Sequence, residues 1–264
     1  MTILRSALLD REGFDHGFGT RRSIPGDFPV DVHILLQVHG EKIVVLTGDP
    51  EEEKRRKGEK ETNRRTVCSG ASSPSPLFPF SGAEVVYQNL PAHHFRFDEG
   101  DAMVSDIPGV SLGIRTADCL PLLIVDRVRG TAAAVHCGWR SLALGLTGKA
   151  VRVMTGVMGS SEKHLLAAIG PSIGLCCYEV GEDVRDAFSH FRSGDGLFVQ
   201  RDKSLYLDLA SGVKTQLIME GVAPENVDEI VGCTSCNPEL FWSHRARKDK
   251  ERMVSFVTVR KGYE

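Results

Sequence analysis

The sequence predicts an α+β fold in which mixed β-sheets pack against flanking helices. Three observations carry this: strand-like segments come in runs, helical periodicity falls between those runs, and one strand segment is apolar on both faces. Between residues 28 and 46, Val32, Ile34 and Leu36 alternate toward Val38-His39-Gly40. After a short polar turn comes Ile43-Val44-Val45-Leu46, so two strands are expected. Val110, Leu112 and Ile114 then alternate as a strand, 120–125 is a continuous apolar run typical of a buried strand, and 131–136 is an Ala-rich third. Residues 141–158 carry Leu142, Leu146, Ala150, Val153 and Val157 at helical spacing, with Ser141 near the start, and predict one helix. A short strand at 167–169 ends at Gly170-Pro171. A helix is expected over 182–191, and Asp208 caps another that ends at Gly221. Ile230-Val231 and 253–259 read as late strands, and no internal repeat is visible.

Composition sets the class. The 264 residues suit one large domain, 1–264, interrupted by an insertion. Residues 51–65 are a charge run of both signs, and 69–81 are Ser/Pro-rich around a small apolar knot at 77–80. Such a segment buries too little apolar surface to offset its ordering entropy, so about 50–82 is expected to be a mobile surface insertion. Hydrophobic residues make up 41% and charged residues 25%, and 32 Lys+Arg against 35 Asp+Glu leave a net charge of −3. That balance argues against nucleic acid or an anionic membrane as partner. No run of about 18 apolar residues exists to span a bilayer. Met1 to Gly17 lacks the apolar stretch of a secretory signal. Seven cysteines, two of them adjacent (Cys176, Cys177), do not form a disulfide-framework pattern and point to free thiols in a reducing cytoplasm.

The chemistry begins at the turn Arg127-Val128-Arg129-Gly130, which joins two apolar strands. Folded as an antiparallel hairpin, it brings Cys119 opposite or nearly opposite His136, where directly facing Cβ atoms lie about 4.5–5.5 Å apart. A thiolate and an imidazole at one end of a buried sheet suit a shared metal or a Cys–His catalytic pair, and spacing alone leaves both open. His39, at the end of its own strand, is either a hydrogen-bonded edge residue or a third ligand. Three N/S ligands plus a water would make an open, catalytic zinc site.

Six ordered stretches carry a resemblance. They are Gln37-Val38-His39-Gly40, Arg115-Thr116-Ala117-Asp118-Cys119-Leu120-Pro121, Ala134-Val135-His136-Cys137-Gly138-Trp139-Arg140, Ile169 to Gly174 with Tyr178-Glu179-Val180-Gly181, Cys233-Thr234 with Phe241-Trp242-Ser243-His244-Arg245, and Arg252-Met253. Together they resemble the multicopper polyphenol oxidase (laccase-domain, YfiH-type) family, understood as purine nucleoside phosphorylases with adenosine deaminase activity. The match covers most of 98–260 plus the piece around His39, and His16 to Arg21 resembles the family's opening strand. The resemblance implies an α/β/β/α arrangement and a zinc held by His39, Cys119 and His136. It also implies phosphorolysis of adenosine, inosine and methylthioadenosine, and hydrolytic deamination of adenosine.

Physical chemistry is compatible with those implications. A zinc with an open position lowers the pKa of bound water to about 7, as attack on C6 of adenine requires. Phosphorolysis needs an anion site. Arg140, opening the helix beside Ser141, is expected to bind phosphate or to act as a helix-start salt-bridge residue, and Arg245 is a second anion ligand. Asp118, beside Cys119, is expected to orient the site or carry a proton, although strand alternation would point it away. The chain departs from the family pattern in lacking a glycine-rich loop and an Asn-bearing helix before His39, where only 22–37 make the connection, and in carrying Glu251 where the family has Gly. Rival readings are a copper phenol oxidase, disfavoured because only three ligands converge, a metal-free Cys119–His136 hydrolase, and a weakened relative that only binds. Purine nucleosides and phosphate are the expected partners, and no signal specifies an oligomeric state. Cys233-Thr234-Ser235-Cys236 has ribbon-like spacing without a second such pair and reads as structural. Gly156 to Gly159 and Gly170 to Gly174 lack the Lys of a phosphate loop, and His93-His94 reads as a surface pair.

Overall fold

The computed structural model describes residues 2–29, 31–47, 85–89, 99–189 and 196–262, with 47 and 85–89 described in backbone only. The first part holds β1 (Ile3–Leu4), α1 (Ala7–Arg11), β2 (His16–Gly19), β3 (Val32–Ile34), β4 (Ile43–Thr47), β5 (Val85–Asn89) and β6 (Ala102–Ser105). Next come β7 (Ser111–Thr116), β8 (Leu120–Asp126), β9 (Ala132–Cys137), α2 (Trp139–Ala143), α3 (Leu146–Gly156) and β10 (Leu165–Ile169). The last part holds β11 (Glu179–Val180), α4 (Glu182–Ala187), β12 (Phe198–Arg201), β13 (Ser204–Leu207), α5 (Leu209–Met219), β14 (Val227–Glu229), α6 (His244–Arg247) and β15 (Met253–Thr258).

Among the described residues the strands form a five-stranded sheet (β1-β2-β15-β7-β3), a seven-stranded sheet (β14-β10-β8-β9-β6-β4-β5) and a small sheet (β11-β13-β12). The two large sheets are mixed: β3 runs parallel to β7, and β4 parallel to β5 and β6, in otherwise largely antiparallel ladders. The period-2 geometry of β8 explains its apolar run. Leu120, Leu122 and Ile124 pack with Leu142, Ala150, Val153 and Val213 of the helices, whereas Leu123 and Val125 pack with Leu112, Ile114 and Val257 of the five-stranded sheet. The layers therefore run from helices to the seven-stranded sheet to the five-stranded sheet. On the latter's side α1 packs against β10 and β14. The sheets approach closely at Gly170, where a Cβ would lie 2.2 Å from Phe18 Cδ1 and 2.7 Å from Pro121 Cγ. The α+β expectation holds, and no helix among the described residues is long and apolar enough to cross a membrane.

Several elements differ from the sequence reading. The helix expected over 141–158 is two helices, α2 and α3. They are separated by Leu144 and by Gly145, whose φ of +77° is a left-handed conformation that costs glycine little. The late strand lies at β14, just before Ile230. β10 ends at Gly170-Pro171, so Ile230 makes the final bond, its N–H donating to Ile169 O at 2.9 Å. The β12–β13 hairpin was missed because its turn uses Asp202 at φ +51° rather than a Gly or Pro. The helix expected over 182–191 forms only over Glu182–Ala187 as α4; 188–189 are a turn, and 190–191 lie outside the described residues. The 50–82 insertion and His93-His94 lie outside the described residues.

Candidate metal centre and its cavity

β8 and β9 pair with Leu120 opposite Cys137 and Pro121 opposite His136. Continued by one step, that register puts Cys119 opposite Gly138, diagonal to His136 on the same face, as the hairpin argument anticipated. β7 belongs to the five-stranded sheet and β8 to the seven-stranded one, so 117–119 carries the chain across the mouth between the two sheets. His39 comes from the bend after Leu36, at φ +58°. One ligand atom each from His39, Cys119 and His136 lies within 4.8 Å of the others, and the two imidazoles meet edge to face with centroids 4.9 Å apart. Gly138 leaves the space beside them: a Cβ there would stand 3.3 Å from both Cys119 Sγ and His39 Nδ1.

The carboxylate that orients His136 is Asp101, not Asp118. Asp101 is fully buried and accepts from His136 Nδ1 at 2.8 Å, from the His39 N–H at 3.0 Å and from the Gly40 N–H at 2.6 Å. It fixes Nδ1 as the donor and leaves Nε2 free to ligate, the usual arrangement behind a metal-binding histidine. No sequence signal marked Asp101, because its partners lie 35 and about 60 positions away. Asp118 sits on no strand. With φ at +94° its backbone is left-handed, a strain of about 1–3 kcal/mol. Its carboxylate accepts from Thr234 Oγ1 and from the Arg245 N–H, both at 2.6 Å, and its carbonyl accepts from the Ile173 N–H at 2.9 Å. Asp118 thus holds α6 and the Thr234 loop instead of turning an imidazole.

Burial opposes ionisation of Cys119, but the charge of His136 and hydrogen bonds from both histidines outweigh it and bring the thiol down to about 6. Burial likewise disfavours a charged His136, yet Cys119 and Asp101 raise it to about 9. Each group thus favours the charged form of the other.

These side chains open into a cavity of about 460 Å³, within the range of small-molecule sites. Arg140, on α2, lines it with its guanidinium stacked 4.3 Å over the Trp139 ring. Arg245 lines it as well, 5.1 Å over the Tyr178 ring, with Nη1 donating to Glu179 O at 2.6 Å. Arg115 and Arg252, which stand in the signature stretches but were assigned no role from sequence, complete a set of four arginines on the wall. Arg115 is held through its backbone, its N–H donating to Gln37 Oε1 at 2.9 Å while Gln37 Nε2 donates back to its carbonyl at 2.8 Å.

A family model described as multi-copper polyphenol oxidoreductase laccase matches residues 23–260. The chain belongs to this family. Among similar proteins, the purine nucleoside phosphorylase YfiH of Shigella flexneri is 32% identical over 204 residues, covering 75% of this chain and 79% of that protein. The adenosine deaminase RL5 of an unknown prokaryotic organism is 35% identical over 150 residues, covering 55% and 56%. The crystal structure of YlmD from Geobacillus stearothermophilus superposes with a TM-score of 0.72 at 23% identity, covering 99% of this chain and 97% of that one, and shows a shared fold. For this laccase-like family member the donor set fits a metal. Two imidazoles and a thiolate converge, a buried carboxylate orients one imidazole, and a glycine leaves room beside them.

Proposed function

We propose that the chain is a purine nucleoside phosphorylase that also deaminates adenosine, using a zinc ion held by His39, Cys119 and His136 in the cytoplasm. The observation that carries this reading is the two-His, one-Cys donor set opening directly into an arginine-lined cavity of nucleoside size. Bound by three protein ligands, zinc supplies Lewis acidity and lowers the pKa of water to about 7. The chain itself supplies the rest. Arg140 and Arg245 hold phosphate where its oxygen attacks C1′ of the ribose, the glycosidic bond breaks, and the electron pair leaves with the purine. Asp118 positions Arg245 through its backbone N–H. Ile34 to Leu36 and Trp139 offer apolar surface to base and sugar. Copper phenol oxidation is disfavoured because this site offers three donors, too few for a multicopper centre.

The test is turnover by metal-replete protein. Inosine with phosphate should yield hypoxanthine and ribose 1-phosphate, and adenosine without phosphate should yield inosine. Arg140→Ala should impair the phosphate-dependent reaction more than deamination, because only that reaction adds a dianion. Equal losses would remove Arg140 from the phosphate role, and no turnover of either nucleoside would sink the proposal. The Cys119–His136 ion pair also suits a metal-free hydrolase, a reading that activity surviving complete chelation would favour.

A further inference from the structure

The sequence reading left Cys233-Thr234-Ser235-Cys236 without the second pair that a metal ribbon needs. The fold supplies one from Cys176 and Cys177. One sulfur from each of Cys176, Cys177, Cys233 and Cys236 lies within 4.8 Å of all the others. Cys177 Sγ is 3.3 Å and Cys176 Sγ 3.6 Å from Cys236 Sγ, and all four are free thiols. A bonded sulfur pair would stand about 2.0 Å apart. A tetrahedral ion with four thiolates at about 2.3 Å would space them about 3.8 Å apart, close to what is seen. None of the four lines the nucleoside cavity.

The backbone is shaped for the cluster. Cys177 and Tyr178 turn back onto Gly174, their N–H groups donating to its carbonyl at 2.9 and 3.0 Å. Gly174 makes room at the centre, since a Cβ there would stand 3.3 Å from Cys176 Sγ and 3.3 Å from Cys233 Cβ. Its own N–H donates to Cys233 Sγ at 3.3 Å, a bond that favours thiolate over thiol. The two loops are stitched by a bridge between Ser172 and Cys233 and by the Thr234 N–H donating to Ser172 O at 3.0 Å.

We infer that Cys176, Cys177, Cys233 and Cys236 form a second, closed metal site that takes one thiophilic divalent cation, zinc, in a structural role. Soft thiolates in a tetrahedral set select such an ion, and four protein ligands leave no open position for substrate. Binding exchanges the thiol protons for the ion, up to four released per zinc taken up. The site clamps the loop that presents Tyr178 to the loop that presents Thr234, the partner of Asp118. This inference does not rest on the proposed catalytic function.

The experiment is metal counting and cobalt substitution on the intact chain, purified under reducing conditions with zinc present. Wild-type protein should hold two zinc ions. Cys233→Ser with Cys236→Ser should hold one, and His39→Ala with Cys119→Ala should also hold one. Cobalt in that second variant should give the intense thiolate-to-metal charge transfer of a four-sulfur site. The His39–Cys119–His136 site has one sulfur and gives a much weaker band, so failure at either site is recognised separately. If the serine variant does not fold, cobalt titration of the wild type still decides, because the four-sulfur band must appear. Absence of that band, or zinc content unchanged in a folded serine variant, would overturn the inference.

Discussion

Replacing Asp101 by Asn keeps its shape and removes its charge, and the structure sets what this should cost. The carboxylate accepts three donors, His136 Nδ1 and the N–H groups of His39 and Gly40, at 2.6–3.0 Å in a fully buried position. An amide has one acceptor oxygen, and its NH₂ cannot accept. Whichever way it turns, at least one of the three donors loses its partner, the part-buried Gly40 N–H in the better orientation, at about 1–3 kcal/mol. If the NH₂ faces His136, it also selects the tautomer that puts the proton on Nε2, the nitrogen needed for ligation. Loss of such a carboxylate behind a metal-binding histidine typically weakens affinity 10–100-fold, about 1.4–2.7 kcal/mol. Competition against a chromophoric chelator measures zinc affinity at the His39–Cys119–His136 site, in a background where the four-cysteine cluster is removed or counted separately. Thermal denaturation of the metal-free protein measures the fold. Asp101→Asn should lose 10–100-fold in affinity and about 1–3 kcal/mol in stability. Affinity within threefold of wild type would refute the claim that Asp101 sets the tautomer, whatever happens to stability.

Three further outcomes are expected. In metal-free protein the Cys119 thiol, held at about 6 and so well below the ordinary thiol range, should be mostly thiolate at pH 7, with alkylation falling as pH drops through about 6. Peptide mass spectrometry measures this, and His136→Ala should move the midpoint upward; an unmoved midpoint would refute the ion pair. Gly138→Ala puts a methyl 3.3 Å from both Cys119 Sγ and His39 Nδ1 and should lower occupancy of that site without unfolding the chain. Full occupancy in a metal analysis of the folded variant would show that the site gives way freely. Gly170→Ala forces a Cβ into Phe18 and Pro121, both held between packed strands, and should cost about 1–3 kcal/mol in chemical denaturation; a loss under 0.5 kcal/mol would contradict the close approach of the sheets.

Local pattern determined much of this protein. The apolar run of β8, the Arg127–Gly130 turn and the Ala-rich β9 specify a hairpin, and the hairpin's register alone puts Cys119 and His136 on one face at one end. The signature stretches around His39, Arg140 and Arg245 were legible because each is contiguous in the chain. Tertiary structure decided what joins distant segments. Asp101 became the orienting carboxylate because β6 pairs with β9, and Asp118 became a clamp because a left-handed residue turned it toward Thr234 and α6. The four-thiol cluster unites residues 59–60 positions apart. Period and propensity report on neighbours within a few residues, whereas these contacts depend on how two sheets and their crossing loops are stacked. The break at Gly145 lay between these cases: the residue was visible, but helical spacing continues across it, and only packing of two short helices on the sheet revealed the turn.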